Sequence, residues 1–247
     1  MKKTVISLFS GAGGMDIGFE KAGFKTAVAV EQDSSCCKTL RTNFPKLNVI
    51  EGDINDVSSI DILQAGKLNP LECDVVIGGP PCQSFSLAGK RMGMDDPRGK
   101  LILQFARVVR DTLPKTFVLE NVKGMANWAG GQAIDAIMNE FSEPVLYNGK
   151  EYKYNLSYKV LKASDYGVPQ HRERLFIVGT RIGKKFLFPE PTHQSPNDYS
   201  NDSFKNKLKS YTTVKDAILS LPPATPPSEM AQKISKTIKN RIAKHGY

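Results

Sequence analysis

Residues 4–31 read TVISLFSGAGGMDIGFEKAGFKTAVAVE. An apolar run, TVISLF (4–9), enters a turn rich in glycine at Gly11, Gly13 and Gly14. A helix is predicted over 15–22, ended by Gly23, and a second apolar strand, TAVAV (26–30), closes on Glu31. This is β-turn-α-β, the opening of a nucleotide-binding sheet. Glycines let the backbone approach a ligand closely, and the start of the helix offers free N–H groups. Glu31 follows Gly11 by 20 residues, the spacing of an acid that accepts from ribose hydroxyls. The pattern alone also fits NAD, or a tight turn with no ligand.

Working outward, NVIEGDI (48–54) reads as a third strand ending in a second acid, Asp53. Helices are predicted over 33–43, started by Asp33 or Ser34, and over 58–65. The apolar run CDVVIG then stops at glycine, and GGPPCQSFS (78–86) follows. Cys82 therefore lies just past the carboxyl end of a central strand, where open α/β sheets bind ligands. Pro80 and Pro81 fix two φ angles and remove two donors, which stiffens the turn that carries the thiol. A small buried hydrophobe beside a turn is the alternative reading of Cys82. Residues 87–99 form a polar, glycine-containing loop, and 100–113 an amphipathic helix. TFVLEN (116–121), 154–161 and RLFIVGT (174–180) read as strands, and 132–141 as a helix. Arg172 and Arg174 alternate, so on a strand they share a face.

Composition bounds the function classes. The chain has 247 residues, 40% hydrophobic and 24% charged, as in a soluble globular protein. No run has the length of a membrane span and there is no signal peptide, so cytoplasm is the expected compartment. Cys36, Cys37, Cys73 and Cys82 show no C-x-x-C spacing, and the three histidines lie far apart, which argues against a metal site or a disulfide framework. Cys36 and Cys37 fall inside a predicted helix and read as packing residues. The net charge of +9 favours a polyanionic partner. Residues 201–247 hold nine Lys and Arg against three Asp and Glu, a net of +6 that leaves +3 for the first 200. After Thr180 the text turns to Pro, Ser, Asn and Asp. A short helix over 211–223 and an extended PPATPPSE linker precede a final stretch that reads as a basic helix or a disordered tail. Two parts follow: 1–180 as a cofactor-binding and catalytic domain, and 181–247 as a linker with a basic extension.

GGPPCQSFS resembles the catalytic motif of the cytosine-C5 DNA methyltransferases. FSGAGGMDIGF (9–19), Glu31, GDI (52–54), ENV (120–122) and QHRERLFIVG (170–179) resemble that family's other blocks, in the family's order. The resemblance covers residues 4–180 and implies a Rossmann-like, S-adenosyl-L-methionine-dependent methyltransferase sheet with helices on both faces. It implies that Phe9, Gly11, Ala12, Gly13 and Gly14 line the cofactor, that Glu31 takes the ribose, and that Asp53 with Ile54 meets the adenine. Pro81 and Leu101 complete that site. It assigns Cys82 as the nucleophile, Glu120 as the group that holds cytosine, and Arg172 and Arg174 as cations facing the target base and its phosphate. Gln83, Ser86, Arg98 and Asn121 are the implied contacts to double-stranded DNA. One branch of the family acts on tRNA, and a decayed nucleic-acid-binding module is a further alternative. Family members continue past QHRER into a target-recognition region and then a closing Asn-containing block. Residues 181–247 are too few for both and contain no such block. The expectation is therefore a second polypeptide that supplies them, in a restriction-modification setting.

Overall fold

The computed structural model describes residues 3–81, 100–183, 185–195, 208–221 and 228–245. The chain opens with β1 (Thr4–Leu8), α1 (Gly14–Lys21), β2 (Lys25–Glu31), α2 (Ser34–Asn43), β3 (Asn48–Glu51), α3 (Ser59–Gly66) and β4 (Val75–Gly78). Next come α4 (Lys100–Thr112), β5 (Thr116–Val122) and α5 (Gln132–Ser142). A hairpin, β6 (Val145–Tyr147) and β7 (Lys150–Tyr152), precedes β8 (Asn155–Lys162) and β9 (Glu173–Thr180). Two short strands, β10 (His193–Gln194) and β11 (Lys209–Ser210), pair with each other, and α6 (Val214–Ile218) and α7 (Glu229–His245) follow.

Seven strands form one sheet in the order β3-β2-β1-β4-β5-β9-β8. The first five run parallel, and β9 inserts antiparallel between β5 and β8. Chain order reverses at β1/β4, so the crevice for a ligand opens there, outside the carboxyl ends of the strands. Side chains alternate across the sheet. Val5, Val75 and Ile77 meet Met15 and Phe19 of α1 and the nearby Phe24 on one face. Ile6, Leu8, Val28, Val30 and Val76 face the other way, where α3, α4 and α5 cover them. Near-continuous Val and Ile in β1, β2 and β4 is what a sheet covered on both faces requires.

Local chemistry sets the element ends. Asp33 caps α2 by accepting from Cys36 N at 2.8 Å, and Ser58 caps α3 by accepting from Asp61 N at 3.1 Å. Gly23 follows α1 at φ +89°, a conformation open to glycine at little cost. Phe117 stacks on Phe141 at 4.5 Å and edges against Tyr154 at 5.3 Å, which fastens α5 and the start of β8 to β5.

Three boundaries differ from the sequence reading. The β3 strand stops at Glu51, so Asp53 stands in the following turn, where its Oδ1 accepts from Asn55 N at 2.9 Å. The β6–β7 hairpin turns on Asn148 (φ +49°) and Gly149 (φ +74°), an Asn-Gly turn that the sequence reading passed over. The final stretch is helix from Glu229 to His245, not a disordered tail.

Candidate active site

At the carboxyl edge of β1, β2, β3 and β4 lies a concavity of about 210 Å³. Phe9, Val30, Glu31, Gln32, Gly52, Asp53, Ile54, Gly79, Pro81 and Leu101 line it. Six of these, Phe9, Glu31, Asp53, Ile54, Pro81 and Leu101, are expected cofactor residues. Gly11, Ala12, Gly13 and Gly14 do not line it, and the turn they form serves the wall indirectly. Gly11 N donates to Glu31 Oε2 at 2.7 Å, while Gln32 N and Asp33 N donate to Oε1 at 2.9 Å. Three backbone donors thus fix the carboxylate at the end of β2. Gly13, at φ +85°, leaves no room for a side chain: a Cβ there would lie 2.9 Å from Leu40 Cδ2.

Under the turn lies a buried polar chain. Ser10 Oγ donates to Ser7 Oγ at 2.9 Å, Ser7 Oγ to Asp16 Oδ2 at 3.0 Å, and Thr26 Oγ1 to Asp16 Oδ1 at 3.2 Å. Asp16 is 1% exposed, and burial holds its carboxyl above the usual range, against the two hydroxyl donors. This node joins β1, α1 and β2 directly below the glycine turn.

Arg107 was missed by sequence reasoning. From α4, its Nη2 donates to the carbonyls of Ile54 at 3.0 Å and Val57 at 2.9 Å, and its Nη1 to Ser59 Oγ at 2.9 Å. It holds the turn that carries Asp53 and Ile54. Nothing in the sequence marks it, because an arginine in an amphipathic helix reads as solvent-facing.

On the other side of β4, β5 presents Glu120. Its Oε1 lies 2.9 Å from Arg174 Nε, and both side chains are about three-quarters buried. Glu120 also packs on the turn after β4: a Cβ on Gly79 would lie 3.0 Å from Glu120 Oε2. Asn121, expected at the DNA, is buried: its Nδ2 donates to Pro80 O at 3.2 Å and its Oδ1 accepts from Val122 N at 2.8 Å, so it braces the turn. The pairing of Gly78 with Leu119 explains why: residues 79–80 and 120–121 continue side by side beyond that register. Cys82, Gln83, Ser86 and Arg98 lie outside the described residues.

Arg174 is in β9, whereas Arg172 precedes that strand and is exposed, so the expected common face on one strand is not formed. Arg172 instead ends a turn whose backbone closes by Ala163 N donating to Arg172 O at 2.8 Å. Tyr211, also missed, fastens that turn. Its hydroxyl donates to Asp165 Oδ1 at 2.7 Å and accepts from Lys162 Nζ at 3.3 Å, and its ring stands 5.6 Å from that of His171.

Of the other cysteines, Cys37 and Cys73 are buried and Cys36 is half-buried. Burial pushes all three thiols up, Cys73 to about 12, which disfavours the reactive thiolate in each.

A doubly wound sheet with two acids at the ends of adjacent strands, an apolar-walled crevice at its switch point and a Glu–Arg pair beside it defines a nucleoside-cofactor-binding α/β enzyme. Comparison with known proteins is more specific. The model of the C-5 cytosine-specific DNA methylases matches residues 3–245. The type II methyltransferase M.AquIA of a Picosynechococcus species is 67% identical over 248 residues, covering 100% of both chains. M1.HphI of Haemophilus parahaemolyticus is 42% identical over 199 residues, 80% of this chain but 51% of its own length. A prophage-encoded E. coli protein described as a DNA modification methyltransferase superposes with a TM-score of 0.67 at 32% identity, over 90% of this chain and 56% of that one. The chain belongs to the C-5 cytosine-specific DNA methylase family, and is a DNA cytosine-5-methyltransferase of the type II restriction-modification kind.

The family's cofactor is S-adenosyl-L-methionine. The pocket fits it. Phe9, Ile54, Pro81 and Leu101 offer apolar walls for a flat base, the fixed Glu31 carboxylate suits hydroxyl donors, and Asp53 suits an amino group. Among the described residues, no three His, Cys, Asp or Glu side chains form a metal cluster, and no helix is long and apolar enough to cross a membrane.

Proposed function

We propose that this chain methylates carbon 5 of a cytosine flipped out of duplex DNA through a covalent bond from Cys82 to cytosine C6, and that a second polypeptide completes the enzyme. Carbon 5 of cytosine is a poor nucleophile. Addition of the Cys82 thiolate to C6 moves the C5–C6 π pair toward C5 and the ring nitrogen, and a proton delivered to N3 from Glu120 leaves an enamine. When bound, S-adenosyl-L-methionine supplies the electrophilic methyl that C5 takes. Loss of the C5 proton to a base then restores the C5–C6 double bond and expels the thiolate, and the N3 proton returns to Glu120. Arg172 and Arg174 provide the positive charge that favours the thiolate and holds the base's oxygen or phosphate. A duplex buries C6, so the base must leave the stack.

The observation that supports this reading is the contact of Glu120 with the GGPP turn. Glu120 packs on Gly79, three residues before Cys82, while the same turn contributes Gly79 and Pro81 to the cofactor pocket. On this reading the nucleophile, the base-holding acid and the cofactor would meet at one turn. Residues 1–180 would carry this chemistry and 181–247 the junction to the remainder. The chain spans all of M.AquIA but 51% of M1.HphI and 54% of M.FnuDI, and the missing share is what the second polypeptide would supply. The test is methyl transfer from labelled cofactor to duplex DNA and, separately, to tRNA. The chain is assayed alone and with the product of the adjacent reading frame, and the modified nucleoside is identified. The reading predicts 5-methylcytosine in DNA, with sequence-specific activity only when both chains are present. Full sequence-specific activity of residues 1–247 alone would remove the second polypeptide, and product in tRNA only would remove DNA as substrate.

A further inference from the structure

Helix α7 (Glu229–His245) is built for contact with something the catalytic domain does not provide. Every residue from Glu229 to Ala243 is exposed. Yet Met230, Ile234, Ile238 and Ile242 recur every fourth residue, with 73, 52, 51 and 50% of their surfaces open. At about 100° per residue they form one ridge, drifting by about 40° per step along some 18 Å of helix. Lys233, Lys236 and Lys239 project from the opposite side. An isolated 17-residue helix is marginal in water, and a ridge of exposed isoleucines adds nothing to it until covered.

We propose that this ridge docks the second polypeptide of the enzyme, the chain that supplies the part longer relatives carry beyond their match to this one. The proposal rests on the two-chain reading above. Two observations select this occupant. The first is the spacing. A coiled coil between two copies of α7 needs alternating steps of three and four, and no such register holds more than two of the three isoleucines. A uniform i, i+4 ridge instead fits the groove of a helix crossing at about −50°. The second is length. M.SacI and the E. coli prophage protein match 92% and 90% of this chain, and have 40% and 44% of their own length beyond the match, enough for a structured partner of domain size. The lysine side of α7 remains outward, where DNA phosphates are the fitting counterpart.

The experiment uses the full chain and, as probe, the polypeptide encoded by the adjacent reading frame. Light scattering gives the mass of the mixture, and calorimetry the affinity. The wild-type chain forms a one-to-one complex. Ile234→Lys with Ile238→Lys weakens it by ~100-fold or more, the scale of losing central apolar anchors. The same variant leaves the melting temperature and cofactor affinity of the isolated chain unchanged, which separates lost docking from lost folding. Lys233→Gln with Lys236→Gln and Lys239→Gln leaves association within a few-fold. A complex of unchanged affinity with the isoleucine variant overturns the docking site and leaves the two-chain reading standing. No association of the wild-type chains overturns both. A wild-type chain that dimerises by itself and is split by the isoleucine variant identifies a second copy as the occupant and overturns the proposal.

Discussion

Glu31→Ala separates the task that the structure gives this carboxylate from the ribose contact proposed for it. Within the protein, Oε2 accepts from Gly11 N and Oε1 from Gln32 N and Asp33 N. The last two donors are exposed, so water replaces the carboxylate there at little cost, and the part-buried Gly11 N carries most of the loss. A hydrogen bond to a charged group contributes about 1.5–3 kcal/mol. One such loss lowers the melting temperature by about 3–12 °C for a chain of this size, at 2–4 °C per kcal/mol. Toward the cofactor, each ribose hydroxyl left without its carboxylate costs a similar 1.5–3 kcal/mol, or about 10- to 150-fold in Kd. Glu31→Gln retains acceptor oxygen but no charge and falls between. Calorimetric titration with S-adenosyl-L-methionine, paired with thermal melts of the same samples, measures both. A Kd within twofold of wild type in a variant whose melting temperature has dropped would refute the ribose role and leave Glu31 as a fastener of the glycine turn.

Arg107→Ala, at a residue that does not line the pocket, should release the 54–57 turn and raise the cofactor Kd by about 10-fold, since carbonyls bonded to a cation lose about 1.5 kcal/mol or more; an unchanged Kd by the same titration would show that the turn holds without it. Gly78→Ala puts a Cβ 2.6 Å from the Leu8 carbonyl of the neighbouring strand. Backbone cannot yield as a side chain does, so a loss of at least about 2–3 kcal/mol by urea unfolding is expected, and near-neutral stability would contradict the packing. For Asp16 the folded pKa stands above the unfolded one. Its favourable contribution is full below the unfolded value, about 3.9, and fades as pH rises through the folded value. Asp16→Asn should remove that slope, so the stability difference between wild type and variant should shift toward the variant above about pH 4; a difference flat with pH would contradict the burial argument.

How much was legible follows from what each residue does. β1, β2 and β4 carry uninterrupted Val and Ile because both faces are covered, and that signal is strong in a single sequence. The glycine turn and Glu31 were legible because a backbone that bends tightly onto a carboxylate restricts residue type at each position; Cys82 lies outside the described residues. Glu120 was legible only through the ENV resemblance; its partner Arg174 was named, but not that the two would pair across β5 and β9. The bracing role of Asn121 was not legible, since an amide beside an acid looks the same in sequence whether it faces outward or ties a turn inward. Arg107 and Tyr211 left no trace because their partners, the Ile54 and Val57 carbonyls and Asp165, lie 46 to 53 residues away along the chain. The α7 ridge was written in plain sight at i, i+4 spacing, but the lysines between its isoleucines read as a basic tail.

The central claim is that Cys82 attacks cytosine C6, and a mechanism-based trap tests it most directly. Fluorine at C5 cannot leave as the proton does, so 5-fluorocytosine in a duplex should arrest the enzyme after methyl transfer as a stable protein–DNA adduct. With cofactor present and the proposed second polypeptide added, the account predicts an adduct on the peptide containing Cys82 for the wild-type chain. It predicts none for Cys82→Ser, and an undiminished one for Cys36→Ser and Cys37→Ser. An adduct that persists in Cys82→Ser, or wild-type enzyme that methylates cytosine-containing DNA yet traps nothing on the fluorinated duplex, would contradict it.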